Sequence, residues 1–290
     1  MNKIILSTFI FLSIILGTFG CSHVNESSKL TDIDNSTLNQ DDLYYIVQDD
    51  WITLCFSKED FNENTASMIT NEAKNVMKDI RNFLNINYTL EQAKDTICYF
   101  DSNYRFEGQS RSRCFWEEKI MYCVVVDDFV HEYVHMISQN NSNLVYKPSK
   151  LFIEGLAEYV SLNFYNGIAS KKYEHFMEKS VSKVSNELEH QQICDLLLSN
   201  GFEYNAPNYI KATVSIIYDL GGLSKLDPNS DFYQYSIGFI FVDYYIKQFG
   251  GIEKFMSVYC DNVIIRDISD KTIEELVLDA CEYNSHLFYQ

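Results

Sequence analysis

Proline and glycine are scarce in this chain, with 3 and 11 in 290 residues, and no segment repeats at a fixed period. These absences exclude collagen-like, Gly/Pro-rich and repeat architectures. Basic residues are also few, because 23 Lys and Arg face 41 Asp and Glu and leave a net charge of -18. Such a chain repels nucleic acid, which is therefore not expected as a partner. The apolar fraction of 46% instead predicts a folded core.

The N-terminus lacks the apolar run of roughly 20 residues that crosses a membrane, but it carries a shorter one. A basic start at Lys3, an apolar run over residues 4–16 and small residues at 17–20 predict a secretory signal peptide over residues 1–20. Cys21, directly after a glycine, resembles the lipobox of bacterial lipoproteins. That resemblance implies lipidation of Cys21 and anchoring at the extracellular face of the bacterial cell membrane, with plain secretion as the alternative. The polar residues 21–42 then form a solvated tether.

No Cys-x-x-Cys pair occurs, so neither a zinc ribbon nor a thioredoxin-type redox site is indicated. Eight cysteines are present, and seven remain when Cys21 is set aside. An odd number of cysteines cannot all pair. Two interpretations stay open: one or more disulfides in an exported protein, or several small buried side chains that are not bonded.

Apolar periodicity predicts an α+β domain over residues 43–290, with a small mixed N-terminal sheet and a mainly helical half from about residue 127. Strands are predicted at residues 44–56, 96–100 and 119–126, where β-branched and aromatic residues cluster. A helix is predicted at residues 63–84, where apolar residues recur at steps of three and four. Further helices are predicted at residues 127–139, 151–164, 172–198, 209–219, 232–249, 252–262 and 271–283.

A His-Glu-x-x-His motif occupies residues 131–135 of a predicted helix. The i, i+4 spacing places His131 and His135 on one helix face, where two imidazole nitrogens can bind one metal ion. A zinc ion at that position lowers the pKa of a bound water toward about 7, and the adjacent Glu132 can reach this water. The motif therefore predicts a zinc site with Glu132 as general base.

Glu154 is the predicted third ligand, because eighteen residues separate it from His135. That gap lets the chain turn after the first helix and return in a second helix that offers a carboxylate to the same metal. Glu158 lies one turn later on the same face, where it is the rival of Glu154 or accepts the other ring N–H of the first histidine. The small Gly155 and Ala157 would let these two helices approach closely.

These zinc motifs resemble those of the gluzincin metallopeptidases. HEYVH, the eighteen-residue gap and the first Glu of FIEGLAEY are similar to the aminopeptidase N and thermolysin families, and YSIGFIFVDYY is similar to peptidase MA-like domains. In such domains a tyrosine precedes this helix, which implies a functional hydroxyl at Tyr235, or at Tyr233 as its substitute. The resemblance also implies Zn²⁺ as cofactor and a gluzincin-like fold with its active site between the sheet and the helical half.

Together these features predict an exported, lipid-anchored zinc metallopeptidase acting on a protein or peptide substrate. Zinc-bound water, deprotonated by Glu132, attacks the scissile carbonyl, while the metal and Tyr235 stabilise the oxyanion. An endopeptidase is favoured over an aminopeptidase, because no GxMEN segment precedes His131. The strand at residues 119–126 is expected to be the sheet edge that pairs with substrate. The alternative is a non-catalytic surface binding or scaffold protein that keeps the gluzincin fold.

Overall fold

The structure, a computed structural model, describes residues 38–40, 42–164, 210, 213–215, 217, 222–261 and 271–285. The predicted signal peptide at residues 1–20, the lipidation site Cys21 and most of the predicted tether lie outside the described residues. The helix predicted at residues 172–198 and most of the one predicted at 209–219 lie outside them as well. Among the helices that are described, none combines the length and apolar character needed to cross a membrane.

Six strands build the sheet of the N-terminal half: β1 (Leu38–Gln40), β2 (Tyr44–Gln48), β3 (Thr53–Ser57), β4 (Ile97–Phe100), β5 (Arg113–Phe115) and β6 (Ile120–Cys123). They lie in the order β1-β2-β3-β4-β6-β5. The pairs β3–β4 and β4–β6 are parallel, whereas β1–β2, β2–β3 and β5–β6 are antiparallel. The sheet is therefore mixed, as predicted.

The strand predicted at residues 44–56 is in fact two strands joined by a tight turn. The Asp49 N–H donates to the Ile52 carbonyl, and the Asp49 carboxylate accepts from the Trp51 N–H at 3.0 Å. An aspartate that binds the backbone two residues later favours a turn over a continued ladder. The sheet also begins earlier than the first predicted strand, because β1 pairs with β2 inside the segment predicted to be a tether.

The open sheet edge nearest the His-Glu-x-x-His helix belongs to β5, so the prediction that the strand at residues 119–126 forms this edge is wrong. β5 pairs antiparallel with β6, with Cys114 opposite Met121, and β6 lies between β4 and β5. Three residues are too few to display the alternation that identifies a strand in sequence. β6 is also shorter than predicted, because the chain enters a 3₁₀ turn at Val126–Asp128.

The described helices are α1 (Glu63–Leu84), α2 (Leu90–Ala93), α3 (Phe129–Gln139), α4 (Lys150–Phe164), α5 (Gly238–Gln248), α6 (Gly251–Cys260) and α7 (Ile273–Ser285), and a π-helical turn, Phe232–Ile237, leads into α5. The predicted bounds of α1 are confirmed. The Asn62 side chain accepts from the Thr65 N–H where α1 begins, and Asn85, with φ of 49°, ends it in the left-handed conformation. The caps thus fix the length that the periodicity predicts.

The hydrophobic core continues from the sheet through α3 into the helical half. On the sheet side, Phe100 stacks on Phe56 with ring centroids 4.7 Å apart and contacts Phe129 of α3 at 5.7 Å. On the helical side, Phe152 of α4 stacks on Phe241 of α5 at 5.3 Å. All residues of α3 except the last are buried, so this helix joins the two halves. The predicted α+β architecture is confirmed at this level.

The cysteines fit the interpretation that they are small buried side chains. Five described cysteines are buried free thiols: Cys98, Cys114, Cys123, Cys260 and Cys281. Cys55 is buried as well. The sulfur atoms of Cys98 and Cys123, on neighbouring strands, lie 3.7 Å apart, which is a contact and not a bond. Cys194 lies outside the described residues.

Candidate metal centre

Helix α3 places the two motif histidines side by side in the core. His131 and His135 are both 6% exposed, and their Nε2 atoms lie 2.9 Å apart. Their rings meet edge to face with centroids 4.6 Å apart. Two neutral imidazole nitrogens that both present lone pairs at this distance repel each other, so the pair requires a proton or a cation between its nitrogens.

Glu154 approaches the same point from α4. Its Oε2 atom lies 3.3 Å from His131 Nε2 and 3.2 Å from His135 Nε2. Glu158, one turn later on α4, has its Oε1 atom 3.2 Å from His131 Nδ1, on the side of the ring away from Glu154. The structure therefore brings both glutamates to the histidines and separates them, with Glu154 at the shared point and Glu158 behind one ring.

The three converging atoms fit a tetrahedral metal ion. Zinc bonds of about 2.0–2.1 Å place neighbouring ligand atoms about 3.3 Å apart, and the separations here are 2.9, 3.2 and 3.3 Å. All ligand atoms of this group lie within 4.8 Å of one another. His131 Nδ1 faces Glu158 Oε1, whereas His135 Nδ1 has no hydrogen-bond partner among the described residues.

The charges around this point also suit a cation. Burial by itself raises the pKa of Glu154, but the His135 charge and hydrogen bonds from both histidines hold the pKa of this carboxyl well below its usual value. Burial lowers the pKa of His131, yet hydrogen bonds to Glu154 and Glu158 raise it to about 10. The half-buried carboxylates of Glu154 and Glu158 thus stabilise positive charge at the histidines, which is the charge that a divalent metal supplies.

Glu132 shares α3 with the histidines and is 7% exposed. Burial raises the pKa of its carboxyl above the ordinary value, while both histidines act in the opposite direction and Asp128 and Glu154 add to the rise. A carboxyl with such a raised pKa accepts and releases protons closer to neutral pH than an exposed one. Its role as general base stays a prediction.

Side-chain hydrogen bonds help to hold α3 in position at its N-terminal end and in its middle. At its N-terminal end, Ser112 Oγ donates to Asp128 Oδ2 and accepts from the Val124 N–H at 2.8 Å. In its middle, Arg81 Nη1 of α1 donates to Tyr133 Oη at 2.6 Å, and the same guanidinium lies 3.8 Å above the Trp51 ring. The helix that carries both histidines is therefore tied to the sheet and to α1.

A contact between two glycines sets the position of Glu154. A Cβ atom added to Gly155 would lie 2.4 Å from the Gly238 backbone, and one added to Gly238 would lie 2.7 Å from the Leu151 carbonyl oxygen. The sequence predicts that Gly155 and Ala157 let α4 approach the histidine helix, and for Gly155 the close partner is a different helix. Gly155 instead lets α4 approach α5, the helix that follows the π-helical turn.

The π-helical turn places Tyr235 over the histidines. Its ring stacks on the His131 ring, with centroids 5.6 Å apart and an interplanar angle of 11°. Burial raises the pKa of the Tyr235 phenol well above its usual value, and Glu154 adds to this, so the hydroxyl keeps its proton. Tyr233 instead has the ionisable groups of Glu274 and Cys281 of α7 as neighbours. Of the two predicted tyrosines, Tyr235 is the one that lies at the candidate metal centre.

Arg111, which the sequence analysis did not identify, reaches the same place from the loop before β5. Its Nη2 atom donates to Tyr235 Oη at 3.1 Å, across 124 positions of sequence. One signal was available in the sequence: the chain has five arginines, and three of them lie within residues 105–113, just before the motif. Clustered arginines in a strongly acidic chain indicate a local requirement for positive charge.

Comparison with models of known protein families, with curated proteins and with solved structures finds no match. The candidate centre is therefore described by its own geometry: three potential metal ligands from α3 and α4, an adjacent glutamate, and a phenol with an arginine beside it.

Proposed function

We propose that this protein is a zinc metallopeptidase of the gluzincin type, exported and anchored through lipid at Cys21. The convergence of His131, His135 and Glu154 on one point carries the proposal. Two histidines and one carboxylate on consecutive helices form the ligand set of hydrolytic zinc sites, which keep a fourth position open. The metal would be held by His131 Nε2, His135 Nε2 and Glu154 Oε2.

When bound, zinc supplies a Lewis acid that acidifies a water molecule and polarises a carbonyl group. Glu132 then accepts the proton of the attacking water and delivers it to the leaving amine, since it is buried next to both histidines. Glu158 orients His131 through the ring nitrogen that faces away from Glu154. Each acidic residue of the centre thus has a distinct task.

The position and protonation of Tyr235 support a role for this residue in stabilising charge on the substrate. Its phenol keeps its proton, and its ring lies against His131, so the hydroxyl is close to where a bound carbonyl oxygen would gain charge. A hydrogen-bond donor at such an oxygen acts more strongly in the transition state than in the bound substrate. We therefore assign Tyr235, and not Tyr233, as the oxyanion donor.

The exposed edge of β5 offers a place for an extended substrate. β5 contacts α3, and on one side it has no neighbouring strand among the described residues. A peptide that adds to this edge gains backbone hydrogen bonds along Arg113–Phe115. Binding through backbone groups places an internal peptide bond near the histidines, which favours an endopeptidase.

Zinc content and chelator-sensitive cleavage test this function. We expect the purified protein to carry about one zinc per chain and to cleave members of a fluorogenic peptide library, with activity lost to a chelator and restored by zinc. The matched control is Glu132→Gln, which removes a proton acceptor but no ligand and should keep the metal without turnover. Bound zinc without cleavage of any library member would instead support a non-catalytic binding protein.

A further inference from the structure

The contact between Arg111 and Tyr235 has a direction that hydrogen-bond chemistry decides. A guanidinium carries five N–H donors and no acceptor, whereas a phenol has one proton and accepting lone pairs. At the 3.1 Å contact, Arg111 Nη2 must therefore be the donor and Tyr235 Oη the acceptor. The single phenol proton is not used in this contact, and it remains available for another acceptor.

The ring of Tyr235 is fixed at the same time. It stacks on His131, and its residue belongs to the π-helical turn that precedes the contact between Gly155 and Gly238. With the ring plane set by His131 and one lone pair held by Arg111, the O–H bond has few remaining directions. Such preorganisation lowers the cost of reorienting a donor when charge develops on the substrate.

Among the described residues, no carboxylate lies within ion-pair distance of the Arg111 guanidinium, and its side-chain hydrogen bond goes to Tyr235. Its side chain is half-buried. Asp231 and Glu154 act on its positive charge from farther away. The contact that fixes the guanidinium is therefore the one with the phenol and not an ion pair.

We infer that Arg111 is a positioning residue that holds the Tyr235 hydroxyl with its proton directed to the substrate oxyanion. This inference rests on the proposed peptidase function. It differs from a role in which Arg111 binds a carboxylate of the substrate itself, because in that case Arg111 would act independently of the phenol. The two roles predict different couplings between substitutions at the two positions.

A double-mutant cycle tests the coupling. Arg111→Gln, Tyr235→Phe and the double variant are compared with the wild type for kcat and KM on the best library peptide, and for affinity toward a phosphinic analogue of that peptide. Arg105→Gln is the matched control, since it removes the same charge from the same loop, where Arg105 is exposed and donates to the Ser102 and Tyr104 carbonyls.

We expect Arg111→Gln to lower kcat by roughly 10-fold or more with little change in KM, and to weaken binding of the phosphinic peptide by a similar factor. In the Tyr235→Phe background, Arg111→Gln should have no further effect. Arg111→Lys should recover part of the lost rate, because an ammonium can also donate to the phenol. Zinc content should stay unchanged in every variant.

The inference would be overturned if the losses of kcat in the two single variants were additive in the double variant. It would also be overturned by a rise in KM confined to peptides with acidic side chains, because that would indicate a direct contact between Arg111 and substrate. An equal effect of Arg105→Gln would overturn it too, since general charge would then be the cause. A wild type that neither holds zinc nor cleaves peptides overturns the proposed function and this inference with it. If the wild type cleaves peptides but the effects of the two substitutions on kcat are additive, the inference is overturned and the proposed function is not.

Discussion

The two sides of the candidate centre are built in different ways. The ligand side comes from two consecutive helices, and its members His131 and Glu154 are 23 positions apart. The other side, called the hydroxyl side, consists of Tyr235 and Arg111, which are 124 positions apart. Tyr235 belongs to the π-helical turn, and Arg111 belongs to the loop before β5. The first side follows from the geometry of a helix pair, whereas the second exists only when the sheet and the helical half are both folded.

Because of this difference, substitutions on the two sides are expected to have different effects. Of the proposed ligands, His131 and His135 are buried and Glu154 is half-buried, so a change there should affect metal binding directly. Tyr235 and Arg111 touch the centre from outside the ligand set, so a change there should affect rate and leave the metal bound. Substitutions on each side should therefore separate loss of metal from loss of rate.

The largest effect is expected on the ligand side. His135→Ala removes one of three ligands, so we expect zinc to fall to background and activity to vanish. Added zinc should raise the melting temperature of the wild type but not that of the variant, because only the wild type binds it. Elemental analysis and thermal unfolding measure both. Stoichiometric zinc in folded His135→Ala would show that the ligand assignment is wrong.

The hydroxyl side should respond in rate alone. Tyr235→Phe removes the proposed oxyanion donor, a loss that typically costs about 10²–10³ in kcat, and should leave KM and zinc content nearly unchanged. Tyr233→Phe is the matched control, since Tyr233 lies toward α7. Steady-state kinetics with metal analysis separates the two. A larger loss of kcat in Tyr233→Phe than in Tyr235→Phe would reverse the assignment.

A smaller effect is expected at the close contact between Gly155 of α4 and Gly238 of α5. Gly155→Ala places a methyl group 2.4 Å from the Gly238 backbone, which neither helix can accommodate without a shift. Overpacking of this kind costs about 1–3 kcal/mol in free energy of unfolding, and the shift should lower kcat as well, because Glu154 precedes the glycine. Urea unfolding measures the stability. Ser67→Ala, on the exposed face of α1, is the control and should change it by less than about 0.5 kcal/mol. Wild-type stability of Gly155→Ala would contradict the close helix contact.

The smallest effect concerns how α3 is held. Tyr133→Phe removes the acceptor of Arg81 Nη1 at 2.6 Å, and we expect a loss of about 1 kcal/mol in free energy of unfolding with zinc retained. Tyr244→Phe serves as control, since the half-buried Tyr244 packs against Phe249 and Tyr283 through its ring. Chemical denaturation of both variants compares them. Equal stability losses would mean that the Arg81 contact does not hold the helix.

Parts of the fold could be predicted where one element carries its own signal. The bounds of α1 follow from its apolar stripe and its asparagine caps, and β4 follows from a short run of β-favouring residues. The turn at Asp49 and the three-residue β5 could not be predicted, because their stability depends on pairing with strands elsewhere in the sheet. The same dependence explains why the sheet edge was assigned to the wrong strand.

The candidate centre likewise contains some features that have a local sequence signal and others that depend on contacts between distant segments. The pairing of His131 with His135 follows from local spacing, because residues four apart lie on one face of a helix. The choice of Glu154 over Glu158 and of Tyr235 over Tyr233 depends on the folded chain, as do the contact of Gly155 with α5 and that of Arg111 with the phenol. These contacts join segments far apart in the chain, and no local periodicity records which distant surface a side chain will meet once the core has formed.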